Sequence, residues 1–417
     1  MRAILANYRR TKNLFKSIWH FPSVLVFGMS SLTAIPIIFS PLTADDIPNS
    51  KLRMFLSSLE GNLFQNWVIS IWNGIFQWLE AEGRFFPGAV LYGHIIHFIF
   101  QGQGLYKFYL ALICFAIASQ IYYLLSFVFS QNTALFGTLF FLSTYSIRYV
   151  YFHDGITSFA GMVPFALFCY LSALNLALRS KQLHSTKLYL SILLYLFSSL
   201  IYEHFAILLL GTFVFLHYLK PIPKSIRFLF FGLSSLQILF AMYLKVGQNS
   251  APAYSLNLST FSVIKTTYVQ FIGALPGSQF WATNHFISES LLMRIENTFF
   301  LIVFVSIISW VIFRHILERN NFNVLNIRHV FSYIFLGANL ALLPALLTGM
   351  TLQWQSAIPV GEAYLCVTIQ SAGLSILFAV VFDQISRVRL TFGRFLFLVL
   401  FGFYYLNLIW NYFFIQQ

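Results

Sequence analysis

Charge is what this chain has least of. Only 12 of its 417 residues are Asp or Glu, and 9% are charged in all. A water-soluble protein of this length cannot cover itself with so little polar surface, so lipid must solvate much of the chain. Cysteine is nearly absent as well. Cys114, Cys169 and Cys366 all lie in apolar runs, which excludes a disulfide framework and a cysteine-built metal site. The P-loop, HExxH, GxSxG and CxxC patterns are missing, so ATP-driven and zinc-peptidase chemistry find no support. No internal repeat and no low-complexity tail is visible.

Apolar sequence is in excess: 59% of residues are hydrophobic and 50 are Phe. Runs of about 17–25 apolar residues, the length of a membrane-crossing helix, recur along almost the whole chain. Helices satisfy their own backbone hydrogen bonds where water is absent. The expected fold is therefore all-α, a polytopic transmembrane protein forming one integral membrane domain over residues 1–417. Spans are expected at 22–42, 106–129, 133–151, 158–178, 188–202, 204–219, 227–246, 298–313, 330–349, 363–382 and 395–413, about eleven in all. The stretch 188–219 is too long for one crossing and reads as a hairpin turning at Tyr202-Glu203-His204.

Basic residues are retained on the cytoplasmic side of a membrane. Arg2, Arg9, Arg10, Lys12 and Lys16 precede the first span, so residues 1–21 are placed inside. Alternating from there, the inside segments with the boundary Arg227 hold 17 of the 25 Lys and Arg but only Glu318 and Asp383 among the acids. The net charge of +13 is thus a topology signal, and nucleic-acid binding is not implied. The first apolar run is too long for a signal peptide, and Pro41-Leu42-Thr43-Ala44-Asp45 is a poor cleavage site.

Two outer segments interrupt the spans, 43–105 and 247–297. In the first, Phe64, Trp67, Val68, Ile71, Ile75, Trp78 and Leu79 share one helical face, opposite Gln65, Asn66, Ser70, Asn73 and Gln77. Such a helix suits the membrane interface. Residues 85–100 are apolar but short, and carry Pro87, Gly88, Gly93, His94 and His97. They read as a second interfacial or re-entrant helix, because a crossing there would move the basic loops outside. The second segment is polar and turn-rich at its start, and a smaller outer loop covers 350–362.

The chemistry-bearing groups gather in these outer parts. Asp45-Asp46 follows the first span directly. Two adjacent carboxylates hold protons or cations more tightly than one, and the pair suits a general base plus a metal ligand; the plain alternative is a charged stop to the helix. Asp154, after His153, stands at the outer end of the third span, where it would otherwise serve as a helix N-cap. Glu203 and His204 interrupt an apolar stretch, where ionisable groups face a cavity or a partner, or pair with each other to fix the hairpin. Arg84, Arg148 and Arg294 are outer-side arginines. A guanidinium fork matches phosphate oxygens, although each also reads as snorkelling to headgroups. His94 and His97, three apart, suit either paired ligation or interfacial packing.

The order of these features is a basic N-terminus, one span, an acidic pair, then a long outer loop with interfacial helices and Gly83-Arg84-Phe85. Two spans, a second acid at an outer helix end and a further run of spans follow. This resembles the GT-C superfamily of membrane glycosyltransferases, including bacterial enzymes that decorate surface glycans, over roughly residues 20–220. The resemblance implies a sugar donor carried on polyprenyl phosphate, a glycan or lipid-linked acceptor, and an active site on the outer face of a bacterial cytoplasmic membrane. Asp45 or Asp46 would be the general base, and Asp154 a second acidic group. Arg84 would lie near the donor phosphate, with Arg148, His153, Glu203, His204 and Arg294 as further substrate-binding candidates. A divalent metal, Mg or Mn, would be held by Asp46 and Asp154 if any is used. Some relatives carry acid-x-acid at the second position, and His153-Asp154 lacks it. The competing function is transport or flipping of a lipid-linked glycan.

Overall fold

The computed structural model describes residues 21–42, 46–82, 84–100, 102–147, 158–180, 185–219, 224–247, 257–278, 326–357 and 366–415. Among them the regular elements are helices, with no strand. The chain opens with α1 (Phe21–Phe39), followed by α2 (Asp46–Asn49), α3 (Leu52–Ser58), α4 (Leu63–Glu82) and α5 (Pro87–Ile99). Then come α6 (Gln103–Leu125), α7 (Gln131–Ser143), a 3-10 turn at Ser158–Gly161, α8 (Met162–Arg179) and α9 (Thr186–Ile201). Next are α10 (His204–Ile207), α11 (Leu209–Leu219), α12 (Lys224–Gly247) and α13 (Thr260–Gly273). The last four are α14 (Ile327–Gly349), α15 (Leu352–Ala357), α16 (Val367–Val388) and α17 (Leu390–Ile415).

Among the described residues five helices are long and apolar enough to cross a membrane: α6, α8, α14, α16 and Leu390–Tyr412 of α17. They pack through small residues and rings, as expected where lipid tails remove the hydrophobic drive between helices. Gly337 of α14 and Gly373 of α16 let the two backbones touch; a Cβ on Gly373 would lie 2.4 Å from the Ala341 nitrogen. Phe136 stacks on Phe382 at 4.1 Å and Phe140 on Phe378 at 4.6 Å, joining α7 to α16. Buried hydroxyls donate to carbonyls of neighbouring helices, Tyr404 to Met29 and Tyr333 to Leu124.

Hydrogen bonds between helix ends define two ends of the bundle. At the lower end, Tyr333 at the start of α14 meets Leu124 near the end of α6. There too Thr133 in the first turn of α7 donates to Asp383 in α16, and Arg179 closes α8 over the Tyr123 ring. At the upper end, Gln103 at the start of α6 donates to the Ser40 carbonyl after α1. The segment between them therefore leaves and rejoins the bundle at one end, in keeping with an outer segment at 43–105. The break between α9 and α10 falls at Tyr202–Glu203, where a turn was expected.

Two elements differ from expectation. The run 133–151 reads as a full span, yet α7 has only 13 residues. Ser143 and Thr144 donate their hydroxyls back to Phe140 and Phe141 carbonyls. Asn407 and Asn411 of α17 donate to the Tyr145 carbonyl, and Asn411 accepts from the Ile147 N–H. Side chains thus replace helical partners, and the backbone can leave the helix while buried. The other is α13, which packs on α14 and α16 within a stretch that reads as an outer segment. The expected span 298–313 lies outside the described residues.

Candidate functional site: a roofed cavity at the upper end

Helix α5 lies across the upper end instead of passing through the bundle. Pro87 occupies its first turn, where a missing N–H costs nothing. Gly88 sits against the backbone of Leu200 and Ile201, where a Cβ would come within 2.8 Å, so only glycine fits. One turn on, the Tyr92 hydroxyl donates to the Ala160 carbonyl at 2.7 Å and meets Tyr109 at 2.9 Å. His97 reaches the Tyr106 ring at the start of α6, 5.5 Å between centroids. Three contacts along one helix thus touch the ends of three others.

Helix α4 runs antiparallel on α5. Trp67 meets Phe98 and Trp78 meets Phe86, at 5.3 and 5.1 Å, with Gly74 against Val90 between them. The sequence pattern put Trp67 and Trp78 on the membrane-facing side; both turn instead toward α5, because the apolar sector of α4 is wide enough to serve two neighbours. Phe64, Val68, Trp72 and Phe76 form the exposed apolar stripe.

Between this hairpin, α2–α3 and the turn at Ala160 lies a cavity of about 850 Å³. Its polar lining comes from Asn66, Ser70, Asn73 and Gln77 of α4, Asn49 of α2, and His94 and His97 of α5. Leu56, Trp78, Phe86 and Val90 are among its apolar walls. The Nδ1 of His94 is 2.9 Å from the Val90 carbonyl, which can only accept, so Nδ1 carries the proton. Burial lowers the His94 pKa, keeping the ring neutral. Its Nε2 therefore accepts from the Ser70 hydroxyl at 3.0 Å. Burial, with His94 nearby, pushes His97 down to about 4.

Asp46, behind this cavity, is fully buried. Its Oδ1 accepts from the Ala160 N–H at 3.3 Å. Ala160 and Gly161 both have positive φ, 57° and 65°, so two successive left-handed residues shape the turn that meets Asp46. Arg84 donates from Nε and Nη2 to one Glu203 oxygen, at 3.0 and 2.8 Å, and its guanidinium lies 4.5 Å over the Phe86 ring. The candidates Arg84 and Glu203, 119 residues apart, are thus brought together. Glu203 turns to Arg84, a partner as one of the two readings had it, and the His204 ring stacks on Tyr202 at 4.3 Å. Local spacing left a cavity, a partner and the sequence neighbour open, and the fold supplies a guanidinium.

Asp45, Arg148, His153, Asp154 and Arg294 lie outside the described residues. Among the described residues no three His, Cys, Asp or Glu groups come together as a metal would need. Asp46, buried and bonded to a backbone N–H, does not add to a ligand set among them. The polar row Asn66–Ser70–Asn73–Gln77 was visible as one helical face, and nothing local says that α5 and α2–α3 leave a cavity beside it.

An all-helical protein with several membrane-length helices and a polar cavity closed by a surface hairpin is the class these features define. No protein-family model matches the chain, and no curated protein or solved structure matches it significantly.

Proposed function

We propose that the protein is a membrane glycosyltransferase, with about eleven spans, that moves a sugar from a polyprenyl-phosphate donor to a cell-surface glycan or lipid-linked acceptor. The upper end would face outward from a bacterial cytoplasmic membrane. The observation that carries this reading is the cavity of about 850 Å³ roofed by α4 and α5, with Asp46 behind it and Arg84 stacked on one of its walls. A lipid-linked donor can reach such a site sideways, along the exposed apolar stripe of α4.

In this reaction an acceptor hydroxyl attacks the anomeric carbon, its proton passes to a carboxylate, and the bond to the phosphate oxygen breaks. Asp45 is the base in this reading. Asp46, committed to the Ala160 N–H, positions the turn and the segment that carries Asp45. Arg84 is the cation for the departing polyprenyl phosphate, exchanging the Glu203 carboxylate for phosphate oxygens. The test is sugar transfer by purified protein in detergent from polyprenyl-phosphate hexoses or pentoses. Asp45→Asn should lower transfer about 10²–10⁴-fold, the usual contribution of a positioned base. A flippase or transporter makes no glycosidic bond there, so absence of any product from the wild type would replace this reading by transport.

A further inference from the structure

We infer that the roofed cavity is a subsite for an uncharged saccharide, which it selects over acidic sugars. The ligand class rests on the glycosyltransferase reading; the selectivity rests on the lining. Among the described residues that line the cavity there is no Asp, Glu, Lys or Arg. Its polar groups are amides, one hydroxyl and two histidines. Amides offer donors and acceptors together, which is what a sugar hydroxyl, itself both, requires. Asn73 and Gln77 stand one turn apart on one face of α4 and present two such groups, while Asn66, two turns before Asn73, has its amide N–H groups on the Leu56 and Leu59 carbonyls.

The opposite character is supplied by Trp78 and Phe86, whose rings lie 5.1 Å apart in the wall. Flat apolar faces suit the C–H face of a pyranose, and the mixture of apolar wall and few oriented polar groups is the usual make-up of a small-ligand site. Neutral histidines add no charge: His94 carries its proton on Nδ1 toward Val90, and His97 stays neutral down to about pH 4. Arg84 is not in the lining, being stacked on Phe86 and held by Glu203. A carboxylate or phosphate entering among these residues would lose water without gaining a counter-ion, which is the costly case of desolvation. A hydroxyl exchanges its water for an amide at little cost. The donor phosphate therefore stays on the Arg84 side, and the cavity takes the sugar portion.

The test is binding, measured by saturation-transfer-difference NMR on the full chain in detergent. The probes are methyl α-glucoside, mannoside and galactoside, and methyl α-glucuronide. At least one neutral glycoside should bind tenfold or more tightly than the glucuronide. Asn73 and Gln77 are exposed on α4, so Asn73→Leu and Gln77→Leu leave the packing intact, and each should weaken neutral binding about tenfold. Gln77→Lys should shift preference toward the glucuronide. Equal binding of glucuronide by the wild type, no binding of any neutral glycoside, or unchanged binding by both Leu variants would overturn the subsite. Neutral binding without transfer would leave the subsite and remove the transferase reading; transfer with binding indifferent to Asn73 and Gln77 would do the reverse.

Discussion

The lower and upper ends of the bundle treat buried polarity in opposite ways. At the lower end polar groups close on each other. Asp383 is fully buried, accepts from Thr133 at 2.9 Å and pairs with Arg387 at 2.6 Å. This ties the start of α7 to the end of α16. At the upper end a row of amides and two histidines lines a cavity of about 850 Å³. Buried polar groups are ordinarily paired off within the protein. A lining that keeps the exposed Asn73 and Gln77 amides facing open volume is where a ligand can be recognised, and a closed network is where helices are fastened.

Substitutions should separate the two ends. Arg387→Met leaves the buried Asp383 carboxylate with the Thr133 hydroxyl and without its cation. Breaking such a pair costs about 3–5 kcal/mol. Thermal unfolding in detergent should show that loss, while neutral-glycoside binding at the upper end holds under stabilising conditions. Binding lost together with stability at temperatures where the variant is folded would break the distinction.

Acidification should act on the upper end. His97 titrates near 6.5 when unfolded and near 4 in the protein, because burial disfavours the imidazolium. A depressed folded pKa means that the stabilisation is complete above about pH 6.5 and is lost as pH falls toward 4. The full difference is about 3 kcal/mol. Hydrogen exchange along α4 and α5 between pH 7 and pH 4.5 should report opening of the hairpin, and His97→Gln should flatten that dependence. A wild-type hairpin equally protected at both pH values would contradict the burial argument.

The five membrane-length helices were legible because a bilayer imposes a length on apolar runs, and the turn at Tyr202–Glu203 because ionisable residues interrupt one such run. The early end of α7 was not legible, since it depends on Asn407 and Asn411, more than 260 residues away. The partner of Glu203 was missed for the same reason. Its sequence neighbour His204 was one option among those left open, whereas Arg84 reaches it only after α5 is laid across the bundle. The polar face of α4 was legible as a face but the cavity beside it was not, because a cavity is a property of three segments and periodicity belongs to one.

The central claim is that the roofed end faces outward, where lipid-linked sugars would be used, and it can be tested by thiol accessibility in intact cells. The native cysteines at 114, 169 and 366 are all buried, so they give little background. Asn73 on α4 and Lys187 near the start of α9 are both exposed, and they belong to opposite ends. Asn73→Cys should react with a membrane-impermeant maleimide added to intact cells, and Lys187→Cys only after the membrane is opened. Labelling of Lys187→Cys from outside, with Asn73→Cys protected, would turn the protein over and put the cavity on the cytoplasmic face.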